Sequence, residues 1–280
     1  MNKVIRKQWI AFSLLSLATA MTVVILLSII FYVMSKGLGM INVEFLTDSP
    51  RNMGADGGIY PAILGTVYLV GLTLLLATPI GVGTAIYLNE YIAESRLKKV
   101  IRFTTDALAG IPSIVFGLFG FVFFVILLGD YTGGWSIVSG SLTGVMMILP
   151  VIISASEEAL RNVPDNLREG SLALGTTRWY TIKKTVLPLA FPGILTSLIL
   201  SIGRVVGETA AFLLTLGGSL LIPRTIFDGG RTLSLHLYMV AMETGNMEMA
   251  FGTGAVLIIL ILIINFIASI LLKKLVKQFS

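Results

Sequence analysis

Pro164-Asp165-Asn166-Leu167-Arg168-Glu169-Gly170-Ser171-Leu172-Ala173-Leu174-Gly175 forms the centre of a polar stretch, residues 157–185, set between two long apolar runs. Proline near the start, acids in the first turns and glycine at the end predict a short helix over 164–175. Leu167, Ser171 and Leu174 share one of its faces at spacings of four and three. A second short helix is predicted from Thr176 or Thr177, through Arg178-Trp179-Tyr180, stopping before Leu187-Pro188 because a residue ahead of proline is pushed out of the α region. Helices this short are not stable alone and must dock. Two surfaces qualify: the protein's own membrane-facing surface, as an amphipathic collar, or a partner protein.

The flanking sequence is almost uncharged. Of 280 residues, 55% are hydrophobic and 12% charged, with a mean hydropathy of +0.92, so too little charge remains to cover a water-facing surface. The apolar residues fall into six runs: 10–33, 62–88, 107–128, 136–153, 188–216 and 250–272. Runs of ~18 residues or more argue for membrane-spanning helices. The expectation is an all-α polytopic membrane protein with six transmembrane helices in a single domain over 1–280. The first run is longer than the ~7–15 residues of a cleaved leader's apolar core and has no A-x-A site, so it reads as a retained anchor. Pro79 and Pro150 each remove a donor inside a run and predict a kink in the second span and a break in the fourth.

The cations then orient the chain. Lys3, Arg6 and Lys7 precede the first run; Arg96, Lys98, Lys99 and Arg102 follow the second; Arg161, Arg168, Arg178, Lys183 and Lys184 follow the fourth; Lys273, Lys274 and Lys277 close the chain. These fifteen lie on one side, against Lys36, Arg51, Arg224 and Arg231 on the other. The positive-inside rule predicts that both termini are cytoplasmic. The net charge of +5 therefore reports topology, and no nucleic-acid partner is expected. The predicted outer segments are 34–61, 129–135 and 217–249, the last reading as outer-surface or re-entrant structure.

Several chemistries are excluded or weak. There is no Cys, so no thiolate metal site, disulfide or cysteine nucleophile. His236 is the one histidine and has no ligand-spaced neighbours, so no metal is expected. No G-x-x-x-x-G-K-[ST] exists to cradle nucleotide phosphates, and Gly81-Val82-Gly83 reads as packing. Packing is also the reading for Gly110, Ser113, Gly117 and Gly120, and for Gly140 with Gly144. Asn265 reads as a helix-helix hydrogen bond, and Trp9, Trp135 and Trp179 as interfacial aromatics. No catalytic constellation appears, and the chain is not expected to be an enzyme.

The loop resembles that of type I ABC importer permeases, which has the form E-A-A-x-x-x-G, nine residues, then I-x-L-P. Here Glu169-Gly170-Ser171 is followed by three residues, Gly175, nine residues, and Thr185-Val186-Leu187-Pro188. Gly170 and Ser171 replace the two alanines and stay small; Thr185 departs from the isoleucine. The stretches Gly58-Ile59-Tyr60-Pro61-Ala62-Ile63-Leu64-Gly65-Thr66, Ala85-Ile86-Tyr87-Leu88-Asn89-Glu90-Tyr91, Gly110-Ile111-Pro112-Ser113-Ile114-Val115-Phe116-Gly117 and Gly203-Arg204-Val205-Val206-Gly207-Glu208-Thr209 are similar to the phosphate-specific branch, A-type subunit. These matches extend over about residues 58–240.

The resemblance implies that Glu169, Gly170, Ser171, Leu172, Ala173, Leu174 and Gly175 are the coupling helix, within a cytoplasmic loop at 157–186, seated in a groove of a separate ATPase subunit. It further implies a heterodimer with a homologous C-type permease in the bacterial inner membrane and a dimer of ATPase subunits holding ATP-Mg. An extracytoplasmic phosphate-binding protein would dock on outer segments including 217–249. No cofactor is then expected in this chain, and the cargo is inorganic phosphate.

The fifth run carries the ionisable groups predicted to lie within the membrane, Arg204 and Glu208. At i and i+4 they share a helix face with Ser197, Ser201 and Thr215. An unpaired charge near the midplane costs at least ~2.5–3.5 kcal/mol, so this face should meet the bundle interior or a water-filled path. The residues allow two readings. One is an intrahelical ion pair without substrate contact. In the other, Arg204 offers a planar fork to a passing oxyanion while Glu208 keeps the binding weak. The resemblance favours the second and makes Arg204, Glu208, Ser201, Ser197 and Thr215 candidate substrate-path residues. The alternatives are a type I permease for another oxyanion, such as molybdate or sulfate, and a secondary transporter using the same pair as a charge relay. The latter leaves the two loop helices without a role, and the halves show no convincing inverted repeat.

Overall fold

Inside a bilayer a backbone group finds no water, so each apolar run pairs its own donors and acceptors as a helix. The computed structural model describes residues 3–92 and 95–279. Met1, Asn2, Ala93, Glu94 and Ser280 lie outside the described residues, as do the side chains of Lys3, Arg6, Lys273 and Lys277 from the charge count. Among the described residues, five helices are long and apolar enough to cross a membrane, and a sixth span is reached if one bent pair counts as one crossing.

Helix α1 (Lys3–Gly37) leads through the short α2 (Val43–Thr47) into a minimal hairpin, β1 (Pro50–Arg51) and β2 (Asp56–Gly57). Helix α3 (Tyr60–Ile86) continues through a π-helical turn, Tyr87–Tyr91. Then come α4 (Arg96–Ala109), α5 (Ser113–Gly120) with a π-helical extension Phe121–Leu127, α6 (Gly129–Thr132) and α7 (Ile137–Arg161). The loop helices are α8 (Asp165–Ala173) and α9 (Arg178–Thr181), followed by α10 (Leu187–Gly207), α11 (Ala210–Thr215), α12 (Leu233–Met239) and α13 (Met247–Phe279).

Helix α7 is the central post. Its Ile137, Val145, Met147, Ile148 and Ile152 are fully or nearly fully buried, in one core with Leu69 and Ala77 of α3, Phe116 of α5, Val205 of α10 and Phe212 of α11. Small residues set the approach: a Cβ at Gly120 would overlap Thr143, and one at Gly117 would stand 2.8 Å from the Ala211 Cα. Gly140 and Gly144 meet Leu69 and Thr73 in the same way. Gly117, Gly120, Gly140 and Gly144 are packing positions, as their spacing predicts, whereas Gly110 lies exposed at the bend and has only its own helix's Ala107 within 4 Å. Helix α1 lies apart, exposed along its apolar length and resting on α13, where Tyr32 meets Phe251 edge to face at 5.6 Å.

The helix breaks differ from those expected. The third run, predicted as a span over 107–128, divides at Gly110-Ile111-Pro112 into α4 and α5, which meet at a bend of 99°. Pro112 has no N–H and forces Ile111 out of the α region. The predicted break at Pro150 is absent: α7 passes through it, as α3 passes through Pro79 and α10 through Pro192. The second loop helix does not stop before Leu187-Pro188 either; α9 continues through a π-helical turn, Ile182–Val186, directly into α10. The fifth run, predicted as unbroken over 188–216, stops at Gly207 and restarts at Ala210.

Within 217–249, residues 230–236 fold back into the bundle, while Leu221, Ile222 and 224–227 stay exposed. Thr232 caps α12, and the Leu233 N–H donates to Thr66 Oγ1 of α3 at 2.9 Å. Leu233, Ser234, Leu235 and His236 are all buried, so this seven-residue helix neither spans nor lies on the surface.

Candidate functional site

At the end of the bundle carrying the loop, α8 follows Pro164 and closes at Gly175, whose φ of +81° is left-handed and suits glycine. That turn sends the chain back, so that the Ser171, Thr176 and Thr181 hydroxyls meet in a triangle with sides of 2.9, 2.9 and 3.0 Å. Ser171, grouped with Leu167 and Leu174 by spacing, is thus tied inward to α9. Glu169, Gly170, Leu172, Ala173, Leu174 and Gly175 remain exposed. Leu174 is 86% exposed, with Leu167, Leu172, Trp179 and Tyr180 also in the open. Leu167, Leu172 and Leu174 thus stand apolar and open on a polar loop, while Trp179 and Tyr180 begin the candidate span Arg178–Gly207.

Two charge clusters hold this end. Glu157, nearly buried at the last turns of α7, accepts from Arg102 Nε at 2.9 Å and pairs with Arg161 at 3.4 Å. Arg168 of α8 pairs with Glu90 at 3.0 Å, beside a cavity of about 320 Å³ that Asn89, Arg161 and Arg178 also line.

The sequence-predicted path residues divide. Ser197, Ser201 and Thr215 are buried, and each hydroxyl donates to a carbonyl of its own helix: Ile194, Ser197 and Ala211. They face helix packing inside this chain, so the continuous polar stripe is corrected. Arg204 is half-buried, beside Gly203 and Gly207, where no atom lies within 4 Å of a would-be Cβ. Glu208 does not share its helix: with ψ of 134° it is extended, and its carboxylate accepts from the Ala211 N–H at 3.2 Å, capping α11. Its carbonyl accepts from Ser234 Oγ of α12 at 2.7 Å. Among the described residues no ion pair joins Arg204 to Glu208.

At the far end, Arg231 is 5% and His236 0% exposed. Arg231 Nε donates to the Gly218 carbonyl at 2.9 Å, and Nη1 lies 3.4 Å from His236 Nδ1. A guanidinium only donates, so Nδ1 is the acceptor and the ring proton sits on Nε2. That buried Nε2 has no hydrogen-bond partner. Burial first, and Arg231 second, push the His236 pKa down to about 4. An unfolded histidine takes up its proton near pH 6.5. The neutral ring therefore stabilises the fold fully above that pH, and the contribution falls as pH drops from about 6.5 toward 4. Thermal unfolding in detergent should show a melting temperature that declines over that window, as the fold loses on the order of 3 kcal/mol of stability at full effect. His236→Gln should flatten this slope, and an equal slope in the variant would assign it to other groups. Nearby, the Asp228 carboxylate accepts from the backbone N–H groups of Thr225 and Arg224, both at 2.8 Å, which hold its pKa below the ordinary value. A cavity of about 810 Å³ opens beside that loop between Pro50, Trp135, Leu221, Arg224 and Phe227.

Sequence reading missed the Glu90–Arg168 and Arg102–Glu157 pairs, which join segments 78 and 55 residues apart and leave no local signal. The break at Glu208 did have one, an acid three residues ahead of the amide it caps. Among the described residues no group of three or more His, Asp or Glu stands ready for a metal.

Residues 77–280 match the family described as "Binding-protein-dependent transport system inner membrane component". The chain is 34% identical over 275 residues to "Probable ABC transporter permease protein YqgI" of Bacillus subtilis, covering 92% of each. It is 42% identical over 220 residues to "Phosphate transport system permease protein PstA 1" of Mycobacterium tuberculosis, covering 77% of this chain and 70% of the relative. In fold it matches a bacterial ABC transporter involved in the import of the acidic polysaccharide alginate, with a TM-score of 0.71 at 16% identity over 97% of this chain and 98% of the other. The inward-facing MetNI methionine ABC transporter matches at 0.60 and 19% identity, over 78% and 94%.

Proposed function

Because the chain belongs to the family of binding-protein-dependent transport system inner membrane components, we infer that this ABC importer permease carries inorganic phosphate and forms half of a heterodimeric pore. The observation that carries the substrate is Arg204: a half-buried guanidinium on an open helix face, released from Glu208 by the helix break. A planar, always-charged fork suits an oxyanion. The 42% identity to a phosphate permease supports the same cargo.

In this reading the exposed face of α8, from Glu169 to Gly175, meets a separate ATPase subunit, which holds the ATP-Mg that this chain has no motif to bind. The loop side and both termini are cytoplasmic, following the cation bias. At the opposite end, the cavity near Trp135 and Phe227 and the loop around Asp228 offer a surface to a substrate-loaded binding protein. A homologous permease covers the open face at Gly203 and Gly207. Ser197, Ser201 and Thr215 support α10 and α11 from behind instead of lining the path.

The test is uptake of radiolabelled phosphate into vesicles holding the chain with its partner permease, ATPase subunits and binding protein, with and without ATP. Uptake should require ATP and the binding protein. Competition by molybdate or sulfate in place of phosphate would move the substrate to another oxyanion. Uptake by this chain alone without ATP would overturn the importer reading in favour of a secondary transporter.

A further inference from the structure

Helix α8 has no buried residue of its own, so apolar packing does not hold it to the bundle. Polar ties do. One is the Ser171 hydroxyl, bonded to Thr176 and Thr181. The other is Arg168, whose side chain is 15% exposed against 9% for its partner Glu90. Every donor of that guanidinium is used: Nε lies 3.3 Å from both Glu90 oxygens, and Nη2 reaches Glu90 at 3.0 Å and the Leu160 carbonyl at 2.7 Å. Nη1 donates to the Val163 carbonyl and to Asp165 at 3.0 Å. Leu160 lies in the last turn of α7, whose end carbonyls lack helical partners, and Glu90 sits in the π-helical turn that ends α3. One rigid fork thus joins the ends of α3 and α7 to the start of α8.

We propose that the Arg168–Glu90 pair is the mechanical joint that carries movement of α8 into α3, separately from the surface that holds the ATPase subunit. The inference rests on α8 being the ATPase-facing element. The exposed face of α8 (Leu172 to Leu174) is where force is applied, and Arg168 receives it on the inner side. Planarity matters, because a bidentate fork transmits direction where a single flexible ammonium swivels. From α3 the movement enters the core through Leu69 and Ala77, which pack with the residues of α7. The two are positioning residues: neither is on α10, which carries Arg204.

Glu90 is the residue to change. Without it, Arg168 keeps the Leu160 and Val163 carbonyls and Asp165, so α8 stays folded; what is cut is the link to α3 and a local bond from Asn89 Nδ2 within the same turn. In the full complex in vesicles, Glu90→Ala should leave ATPase subunits bound and binding-protein-stimulated ATP hydrolysis within about twofold, while phosphate taken up per ATP falls about tenfold. Glu90→Gln, which keeps one acceptor oxygen, should lie between Glu90→Ala and wild type. Parallel loss of hydrolysis, uptake and ATPase binding would assign the pair a purely structural role and overturn the joint. So would unchanged uptake per ATP in both variants. A substrate-independent measurement separates this from the transport reading: spin labels at Asn166, exposed on α8 ahead of the 169–175 docking face, and at Leu75 on α3. Their separation should hold constant on ATP addition in wild type and change in Glu90→Ala. Equal behaviour of the two would overturn the joint, even if the cargo proves not to be phosphate.

Discussion

On the phosphate reading, Arg204→Gln is expected to abolish most ATP-driven uptake while leaving the permease assembled with its partners. The physical basis is the local geometry at the end of α10. Gly203 and Gly207 flank Arg204 with no atom within 4 Å of a would-be Cβ, so the backbone is open on that side. Glu208 is occupied with the Ala211 N–H and does not neutralise the guanidinium. Glutamine keeps a donor but removes the charge and the two-pronged geometry. Hydrogen bonds to charged groups contribute about 1.5–3 kcal/mol, which corresponds to roughly a 10- to 100-fold loss of uptake at limiting phosphate. Arg204→Lys should fall between the two, since the charge survives without the fork. The measurement is initial uptake rate against external phosphate, with ATPase association checked in the same preparation. Undiminished uptake in Arg204→Gln would reduce the residue to a structural cation and remove the basis for an oxyanion path here.

Gly170→Trp should release the ATPase subunits from an otherwise intact permease. Nothing stands within 4 Å of a would-be Cβ at Gly170, so this chain accommodates a large side chain without repacking. Tryptophan in place of mid-helix glycine even favours α8 modestly. If the ATPase subunit seats α8 in a fitted groove, as proposed, that groove has no such room, and overpacking a fitted contact costs about 1–3 kcal/mol. Affinity for the ATPase subunit, measured by titration of the detergent-solubilised permease, should drop roughly 5- to 100-fold. Unchanged affinity would show that the partner does not sit over Gly170 and would relocate the docking face toward Trp179 and Tyr180. Gly175 is the contrasting site: its φ of +81° makes any side chain a strain on the loop itself.

Much of this protein is local information. Apolar runs long enough to cross a bilayer, the turn chemistry of Pro164 and Gly175, the spacing from Glu169 to Leu187-Pro188 and the asymmetry of cations are each properties of short stretches. They suffice for a helical membrane protein with a protruding loop, because helices in lipid satisfy their own backbone and need no distant partner; that it is a permease came from resemblance. The glycine stripes on α5 and α7 belong in the same class; their period alone announces close helix contact, and Gly117 and Gly140 make it.

Other features depend on what the fold brings alongside. Pro112 breaks its helix and Pro79, Pro150 and Pro192 do not: a missing N–H is tolerated where other groups can donate to the freed carbonyl, and Gly110, two residues before Pro112, adds a second weakness. The spacing of Arg204 and Glu208 predicts a shared face only if the helix continues. Ser234 of α12, 26 residues away, bonds the Glu208 carbonyl and stabilises the interruption instead. Ser197, Ser201 and Thr215 look like a polar stripe in sequence, yet each hydroxyl is satisfied by its own helix and turns into the core. Arg168 and Glu90, 78 residues apart, are two unremarkable surface-type residues until α3, α7 and α8 converge. Hydropathy and turn preference act over a few residues, whereas the partner of a charge is whichever group the packed helices place within 3 Å of it.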